Sequence, residues 1–97
     1  MEMEALWGKT CELLRKEMAV HVYITFIEGN LAPIRLAGDT LYLSISMEPM
    51  VVMMRTKYCG IIDRCLSEAA GLPMHSVIQT KEDRRKEEEQ KARPVRK

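Results

Sequence analysis

The spacing of hydrophobic residues changes partway through residues 40–71, and this change separates two elements. From Thr40 to Ile45 apolar and polar residues alternate, and a period of two is typical of a strand with one buried face. Beyond Pro49 the apolar residues recur at steps of three and four, which predicts a helix of about five or six turns. Its apolar stripe is predicted to contain Met50, Val51, Met54, Tyr58, Ile61, Ile62, Cys65, Leu66 and Ala69.

The two ends of this helix also have sequence markers. Ser46 can cap the first turn, and Glu48 complements the positive end of the helix dipole. Gly71 is suited to end the helix, with Leu72 placed after it for a hydrophobic contact. We therefore expect the strand, the turn and the helix to form the centre of the fold, and the other elements to cover their apolar faces.

Another amphipathic helix is predicted over residues 2–18. Its stripe is predicted to be centred on Met3, Leu6, Thr10, Leu14 and Met18. Trp7 lies toward one edge of this stripe, and two interpretations stay open. Trp7 is either an aromatic residue at the edge of the core or a contact to another chain, since tryptophan is enriched in interface hot spots.

The next segment, residues 19–30, fits two kinds of structure. Its β-branched residues favour a strand, whereas Tyr23, Phe26 and Ile27 also fit one face of a short helix. Local propensity alone favours the strand.

Two further strands are predicted on either side of the long helix. The turn residues Gly38 and Asp39 separate two apolar runs, which predicts a β-hairpin made of residues 34–36 and 40–45. Pro33 is typical of an edge strand or of a strand's first residue. After the helix, residues 75–80 are predicted to form a short third strand.

Length and composition are those of one small α+β domain. The chain has 97 residues, of which 46% are hydrophobic and 30% charged. No apolar run is long enough to span a bilayer, and the start of the chain is too acidic for a signal peptide. The three cysteines lack a C-x-x-C spacing and are expected to be reduced thiols. We therefore expect a cytoplasmic protein.

The net charge of +1 is divided unevenly along the chain. Residues 1–80 contain seven basic and nine acidic residues, a net charge of −2, and residues 81–97 contain eight and five, a net charge of +3. The predicted folded domain, residues 1–80, is therefore not a strongly basic module for duplex DNA. Residues 81–97 have too little apolar surface to order themselves, and we expect a disordered tail or linker.

Two questions about residues 81–97 stay open. Their mixture of glutamate and lysine would also suit a solvated helical extension over residues 81–91. Their role is either that of a solubilising linker or that of a weak electrostatic contact to nucleic acid through residues such as Arg84 and Arg85.

Motifs for catalysis, cofactors and metals are not found in the sequence. There is no phosphate-binding glycine loop and no nucleophile elbow. His21 and His75 lie far apart and lack the spacing of metal ligands. Asp63 and Glu68 do not face each other on a helix, so they do not form an acid–base pair. We expect no catalytic residue, no cofactor and no metal, and therefore a binding function.

A set of short motifs in residues 3–80 resembles the N-terminal domain (domain I) of the bacterial replication initiator DnaA. The motifs are Leu6-Trp7, Leu14 and Met18 in the first helix, Tyr23-x-x-Phe26-Ile27, Leu36-Ala-Gly-Asp-Thr-Leu-Tyr-Leu43, Lys57-Tyr58 and Ile61-Ile62. The resemblance implies an α+β domain with a compact αα-ββ-α-β fold, similar to KH domains, in which a small three-stranded sheet packs on helices. It also implies that residues 19–28 form a second helix, against local propensity.

Domain I of DnaA is a non-catalytic platform for protein interactions in replication initiation. The resemblance implies weak self-association, binding of the replicative helicase, the initiator or regulatory adaptors, and weak binding of single-stranded DNA. The self-association tryptophan of the family falls on Trp7, beside Leu6. The partner surface falls near His21 and Val22.

The chain departs from the family between the hairpin and the long helix. The family often has Pro-Asn-x-Phe there, whereas this chain has Ser46-Met-Glu-Pro49, so the aromatic stacking platform for bases is missing. Pro49 and Met53, at the start of the long helix, are predicted partner contacts. For Met53 the reason is that methionine repacks against varied partners. Met53 is alternatively core filling or scattered exposure.

A nucleic-acid-binding module with a KH-like framework is the alternative function. Lys57, Arg64, Arg84 and Arg85 would make its weak contacts to single strands. The sequence lacks the Gly-x-x-Gly loop with which KH domains clamp the nucleic-acid backbone, and this favours the protein-interaction module.

Overall fold

The computed structural model describes residues 2–92, in which helices and strands follow one another in the predicted order. They are α1 (Met3–Glu17), α2 (Val20–Tyr23), β1 (Leu31–Ala37), β2 (Thr40–Ile45), α3 (Val51–Met53), α4 (Cys59–Ala70), β3 (His75–Gln79) and α5 (Lys81–Ala92). A π-helical turn (Ile24–Glu28) continues α2, a 3₁₀ turn (Glu48–Met50) precedes α3, and a second π-helical turn (Met54–Tyr58) joins α3 to α4. The predicted αα-ββ-α-β fold is confirmed, whereas the similarity to KH domains stays a prediction.

The sheet has three strands in the order β1-β2-β3. β1 and β2 form the predicted antiparallel hairpin, and β3 pairs with β2 in parallel. Gly38 has a φ of +60° in the hairpin turn, a conformation that glycine adopts without steric cost. The pairing of β1 shifts between Pro33 and Arg35, which indicates a β-bulge in this edge strand.

One face of the sheet packs against α1 and α4 to form the core. The alternation in β2 places Leu41, Leu43 and Ile45 on this face, and all three are at most 3% exposed. The core also contains Leu6, Trp7, Leu14, Tyr23, Ile27, Leu31, Met54, Ile62, Cys65, Leu66, Ala69, Met74 and Ile78.

Residues 20–28 are helical, as the resemblance implied and local propensity did not. Tyr23 is 6% exposed and Ile27 is fully buried, while Phe26 packs against the core from its edge. Helical spacing brings all three side chains toward the core, and this burial outweighs the modest helix penalty of β-branched residues. The strand alternative for this segment is therefore wrong.

Helix α3, the π-helical turn at Met54–Tyr58 and α4 follow one another without a break and are called here the long helical segment. The π-helical turn changes which residues of this segment face the core. In an α-helix each residue turns the side-chain direction by roughly 100°, so Met54 and Ile62 would differ by roughly 80°. The wider π-helical turn accommodates about one extra residue, so the side chains of Met54 and Ile62 point in nearly the same direction. Both side chains are fully buried.

The two ends of this helical segment differ in how well they were predicted. Ser46 does not cap it, because the 3₁₀ turn begins at Glu48 with Met47 in the N-cap position. The backbone N–H of Ser46 instead donates to the side chain and the carbonyl of Asn30. At the other end Gly71 has a φ of +78° and closes the last turn of α4, as predicted. Leu72 is 52% exposed, so it does not make the hydrophobic contact expected of it.

Helix α5 occupies residues for which we expected a disordered tail. Thr80 and Asp83 begin it with a reciprocal pair of hydrogen bonds, since each side chain accepts from the other residue's backbone N–H. The helical alternative for residues 81–91 is therefore the one observed, and residues 93–97 lie outside the described part of the chain. No helix within residues 2–92 is both long and apolar enough to cross a membrane.

Candidate interaction surface

The two residues predicted to mediate self-association lie inside the core. Leu6 is 1% exposed and Trp7 is 8% exposed, so neither offers appreciable surface to a second chain. The solvent side of α1 instead contains exposed polar residues such as Glu4, Lys9 and Glu12. Of the two interpretations of Trp7, the structure matches the core aromatic.

A shallow groove lies where the end of α1 and the start of α2 meet the long helical segment. It has a volume of about 340 Å³ and is called here the junction groove. Its walls are Glu17, Met18, Ala19, Val22, Lys57, Tyr58 and Ile61. Two predicted site residues from different parts of the chain, Val22 and Lys57, are thus brought to one place.

The floor of the junction groove is fixed by aromatic packing. The rings of Tyr58 and Phe26 stack with centroids 6.0 Å apart and planes inclined by 28°. Both residues pack against the core from its edge, which holds their rings in place. The groove is therefore a formed feature with an apolar floor, of the kind that accepts apolar side chains.

Charges at the rim of the junction groove are partly neutralised. Arg64 makes a two-pronged ion pair with Glu17, with nitrogen–oxygen distances of 2.8 and 3.1 Å. This hydrogen bonding lowers the pKa of the Glu17 carboxyl from its ordinary value and raises that of the Arg64 guanidinium. The ammonium group of Lys57 lies 5.7 Å from the ring centroid of Tyr58. Arg64, a predicted nucleic-acid contact, is therefore already engaged by a carboxylate.

The solvent-facing side of α2 presents two large apolar side chains. Val20 is 71% exposed and Ile24 is 51% exposed, and their spacing of four places them on one side of the helix. We call these two residues the α2 pair. His21 on the same helix is also exposed, so α2 offers both apolar and polar groups to solvent.

The start of the long helical segment presents a smaller apolar surface. Pro49 is exposed and Val52 is 66% exposed, whereas Met53 is half-buried and packs against the core. Of the two predicted partner contacts in this region, Pro49 is thus accessible. The half-buried position of Met53 agrees better with the alternative interpretation, in which Met53 fills the core, than with a partner contact.

The predicted nucleic-acid contacts lie in two separate places. Lys57 lines the junction groove, whereas Arg84 lines a different cavity, between α5 and the sheet. Arg85 pairs with Glu82 and Glu89 inside α5. The four basic residues therefore do not form one continuous basic surface.

The half-buried thiol of Cys11 on α1 lies beside the buried phenol of Tyr23 on α2. Burial raises the pKa of the Cys11 thiol. Burial and a hydrogen bond with Cys11 raise the pKa of Tyr23 to about 12. Both groups are therefore neutral at physiological pH and contribute to packing rather than to chemistry.

Some surface features were missed by sequence reasoning. The α2 pair was not singled out because local propensity did not assign residues 19–30 to one structure, and the helix implied by the resemblance was not used to ask which side chains lie outside. Given a helix with Tyr23 and Ile27 inside, the positions of Val20 and Ile24 outside would have followed. Within residues 2–92 no group of three or more His, Cys, Asp or Glu side chains could hold a metal ion.

The fold and this surface define a small α+β domain with a formed groove and an exposed apolar helix side. Comparison with protein-family models and with curated proteins finds no match to this chain.

Proposed function

We propose that this chain is a non-catalytic protein–protein interaction module related to the N-terminal domain of DnaA, acting in replication initiation or its regulation. Its partners are the initiator, the replicative helicase or a regulatory adaptor. Helix α2 is the contact element. The observation that carries this proposal is the α2 pair, two large apolar side chains exposed one turn apart.

The energetic reason is the unfavourable exposure of apolar surface. A single exposed apolar residue is ordinary in a folded protein, but two on one side of a short helix form a ready anchor for a partner. Burying both side chains in a complex would contribute about 1–3 kcal/mol, the range of a modest interface hot spot.

Self-association through Leu6 and Trp7 is not part of this proposal. Their burial leaves no area with which to bind a second chain. Of the two surfaces that the family resemblance implies, we therefore propose only the partner surface on α2.

The proposal is tested with a double variant, Val20→Ser with Ile24→Ser. Binding to the purified initiator, helicase and adaptor of the native host is measured by biolayer interferometry. We expect a tenfold or larger rise in Kd for one of these partners, equivalent to about 1.4 kcal/mol. Leu72→Ser is the matched control, because Leu72 is 52% exposed but lies beyond α4. Equal loss in both variants, or no binding of any partner by the parent protein, would refute the proposal.

The alternative, a single-strand-binding module, has less support. Lys57 and Arg84 are separated, and Arg64 and Arg85 already form ion pairs with carboxylates. Tight single-strand binding that weakens steeply with salt would favour the alternative.

A further inference from the structure

Helix α5 is attached to the rest of the domain by polar contacts. The backbone N–H of Lys81 donates to Glu48 at 2.7 Å. Asp83 pairs with Arg55 at 2.7 Å, and Glu87 pairs with Arg35 at 3.3 Å. The sequence of α5, KEDRRKEEEQKA, has no apolar side chain larger than alanine, so hydrophobic burial contributes little to its docking.

The surface beneath α5 is held by contacts within the sheet as well as by contacts to α5. Arg35, Tyr42 and Val77 lie side by side across the three strands, and the Arg35 guanidinium stacks 3.8 Å from the ring centroid of Tyr42. Gln79 is 7% exposed and its amide donates to Glu87 at 3.3 Å. We call these four residues the outer sheet face.

Arg55 forms the edge of the outer sheet face. Its guanidinium donates to the backbone carbonyl of Ile78 through two nitrogens, at 2.6 and 3.2 Å, and so closes the free edge of β3. This attachment positions Arg55 before α5 docks. The outer sheet face and its edge thus present two oriented guanidinium groups, Arg35 and Arg55, to an acidic ligand.

The fit of α5 on this surface is loose. Cavities of about 360 and 210 Å³ remain where α5 meets the sheet. Val77 stays 38% exposed and Ile34 stays 36% exposed. The side chains of both ion pairs to α5 are between 34% and 45% exposed. Such ion pairs are weak and screened by salt, so α5 is an exchangeable occupant.

The contacts of α5 identify the ligand that this surface accepts. Asp83 and Glu87 are four residues apart, so their carboxylates lie on one side of the helix and reach Arg55 and Arg35 respectively. We propose that the outer sheet face docks an acidic helix of another protein, with two carboxylates one turn apart, and that α5 is its intramolecular competitor. This surface is separate from the α2 pair, so the proposal stands or falls independently of the function proposed above.

The test uses the full chain and a synthetic copy of α5 as the probe, because α5 has the two carboxylates one turn apart that contact Arg55 and Arg35. The probe is an acetylated and amidated peptide with the sequence of residues 80–92, TKEDRRKEEEQKA, titrated into isotope-labelled protein and followed by NMR. We expect weak binding to the parent chain, because α5 competes at high effective concentration. The shift changes should fall on Tyr42, Val77 and Gln79.

Two variants with the same charge change separate competition from general electrostatics. Glu87→Gln removes the ion pair from α5 to Arg35, so α5 should be undocked in a larger fraction of the molecules. Peptide binding should therefore tighten about three- to tenfold. Glu89→Gln removes an ion pair within α5, to Arg85, and should leave the affinity as in the parent chain. Equal affinities of the two variants would overturn the proposal.

Arg35 variants test the docking surface itself. Arg35→Gln should abolish peptide binding, and Arg35→Lys, which keeps the charge but loses the two-pronged contact, should weaken it severalfold. Full binding by both variants, or shift changes confined to other surfaces, would overturn the proposal. Dimerisation of the Glu87→Gln variant in sedimentation, lost on adding Arg35→Gln, would overturn the assignment to another protein and indicate a second copy of this chain instead.

Discussion

Replacing Trp7 by alanine should destabilise the whole domain, because its indole ring is 8% exposed and lies in the core. A buried tryptophan removes about 150–250 Å² from water, which at about 25 cal/mol per Å² amounts to about 4–6 kcal/mol. Measured losses for such truncations are about 3–5 kcal/mol. A domain of this size has a total stability of about 5–15 kcal/mol, so the variant should be near the limit of folding.

Urea denaturation followed by circular dichroism measures this loss, with sedimentation at several concentrations beside it. Lys9→Ala is the control on the same helix, since Lys9 is exposed and its removal should change stability by less than about 0.5 kcal/mol. The opposite outcome would be that the parent protein dimerises, whereas the Trp7→Ala variant is monomeric and has unchanged stability. That result would place the indole at an interface and refute its assignment to the core.

Three further changes have defined outcomes. Gly71→Ala should lower stability by about 1 kcal/mol, because φ is +78° there, and thermal melting would show it. Asn30→Ala should cost about 1–3 kcal/mol in denaturant titration, since its buried side chain accepts two backbone N–H groups. Burial and the Cys11 hydrogen bond raise the pKa of Tyr23 to about 12. Its contribution is complete below pH 10, the ordinary pKa of tyrosine, and is lost as pH rises toward 12. Because the chain has three tyrosines, the measurement is an NMR titration that resolves the Tyr23 ring, and a Tyr23 tyrosinate appearing near pH 10 would contradict the prediction.

The β-hairpin could be predicted from the sequence because its determinants are local. The alternation in residues 40–45 and the turn at Gly38 are enough to define the hairpin, and burial of Leu41, Leu43 and Ile45 follows from the same alternation. Helix α2 could not be predicted from local propensity. Its structure depends on the burial of Tyr23 and Ile27 against distant elements.

Other features depend on contacts that a spacing rule does not contain. The cap expected of Ser46 fails because the helical turn begins at Glu48, so that Ser46 lies one residue before the N-cap position. Asn30, 16 residues before Ser46, accepts the backbone N–H groups of Ser46 and Met47. The π-helical turn depends on aligning Met54 with Ile62 toward one core. The sequence pattern around Trp7 is the same whether the edge of the apolar stripe is covered by another element or exposed to solvent. The burial of Trp7 could therefore be seen only in the structure.

The local start of α5 was readable in Thr80-x-x-Asp83, a capping-box pattern, but its docking was not. The hydrogen-bond donors of that docking, Arg55 and Arg35, lie 28 and 52 residues from the carboxylates that they bind. Sequence spacing therefore indicates a helix but not its place on the sheet. The candidate site shows the same limit, since Val22 and Lys57 lie 35 residues apart in the sequence and line one groove only in the folded chain.

The position of α5 also changes what the charge of residues 81–97 means for function. Residues 81–92 contain five basic and five acidic residues, so the whole net charge of +3 in this region lies in residues 93–97. Within α5, Arg85 is paired along the helix, and the carboxylates of Asp83 and Glu87 face the domain. A basic contact to nucleic acid would therefore fall on residues 93–97 rather than on Arg84 and Arg85. Within the part of the chain that the structure describes, Val20 and Ile24 are exposed apolar groups and Arg35 and Arg55 are paired guanidinium groups beneath α5, and these features are why we propose a protein rather than a nucleic acid as the partner.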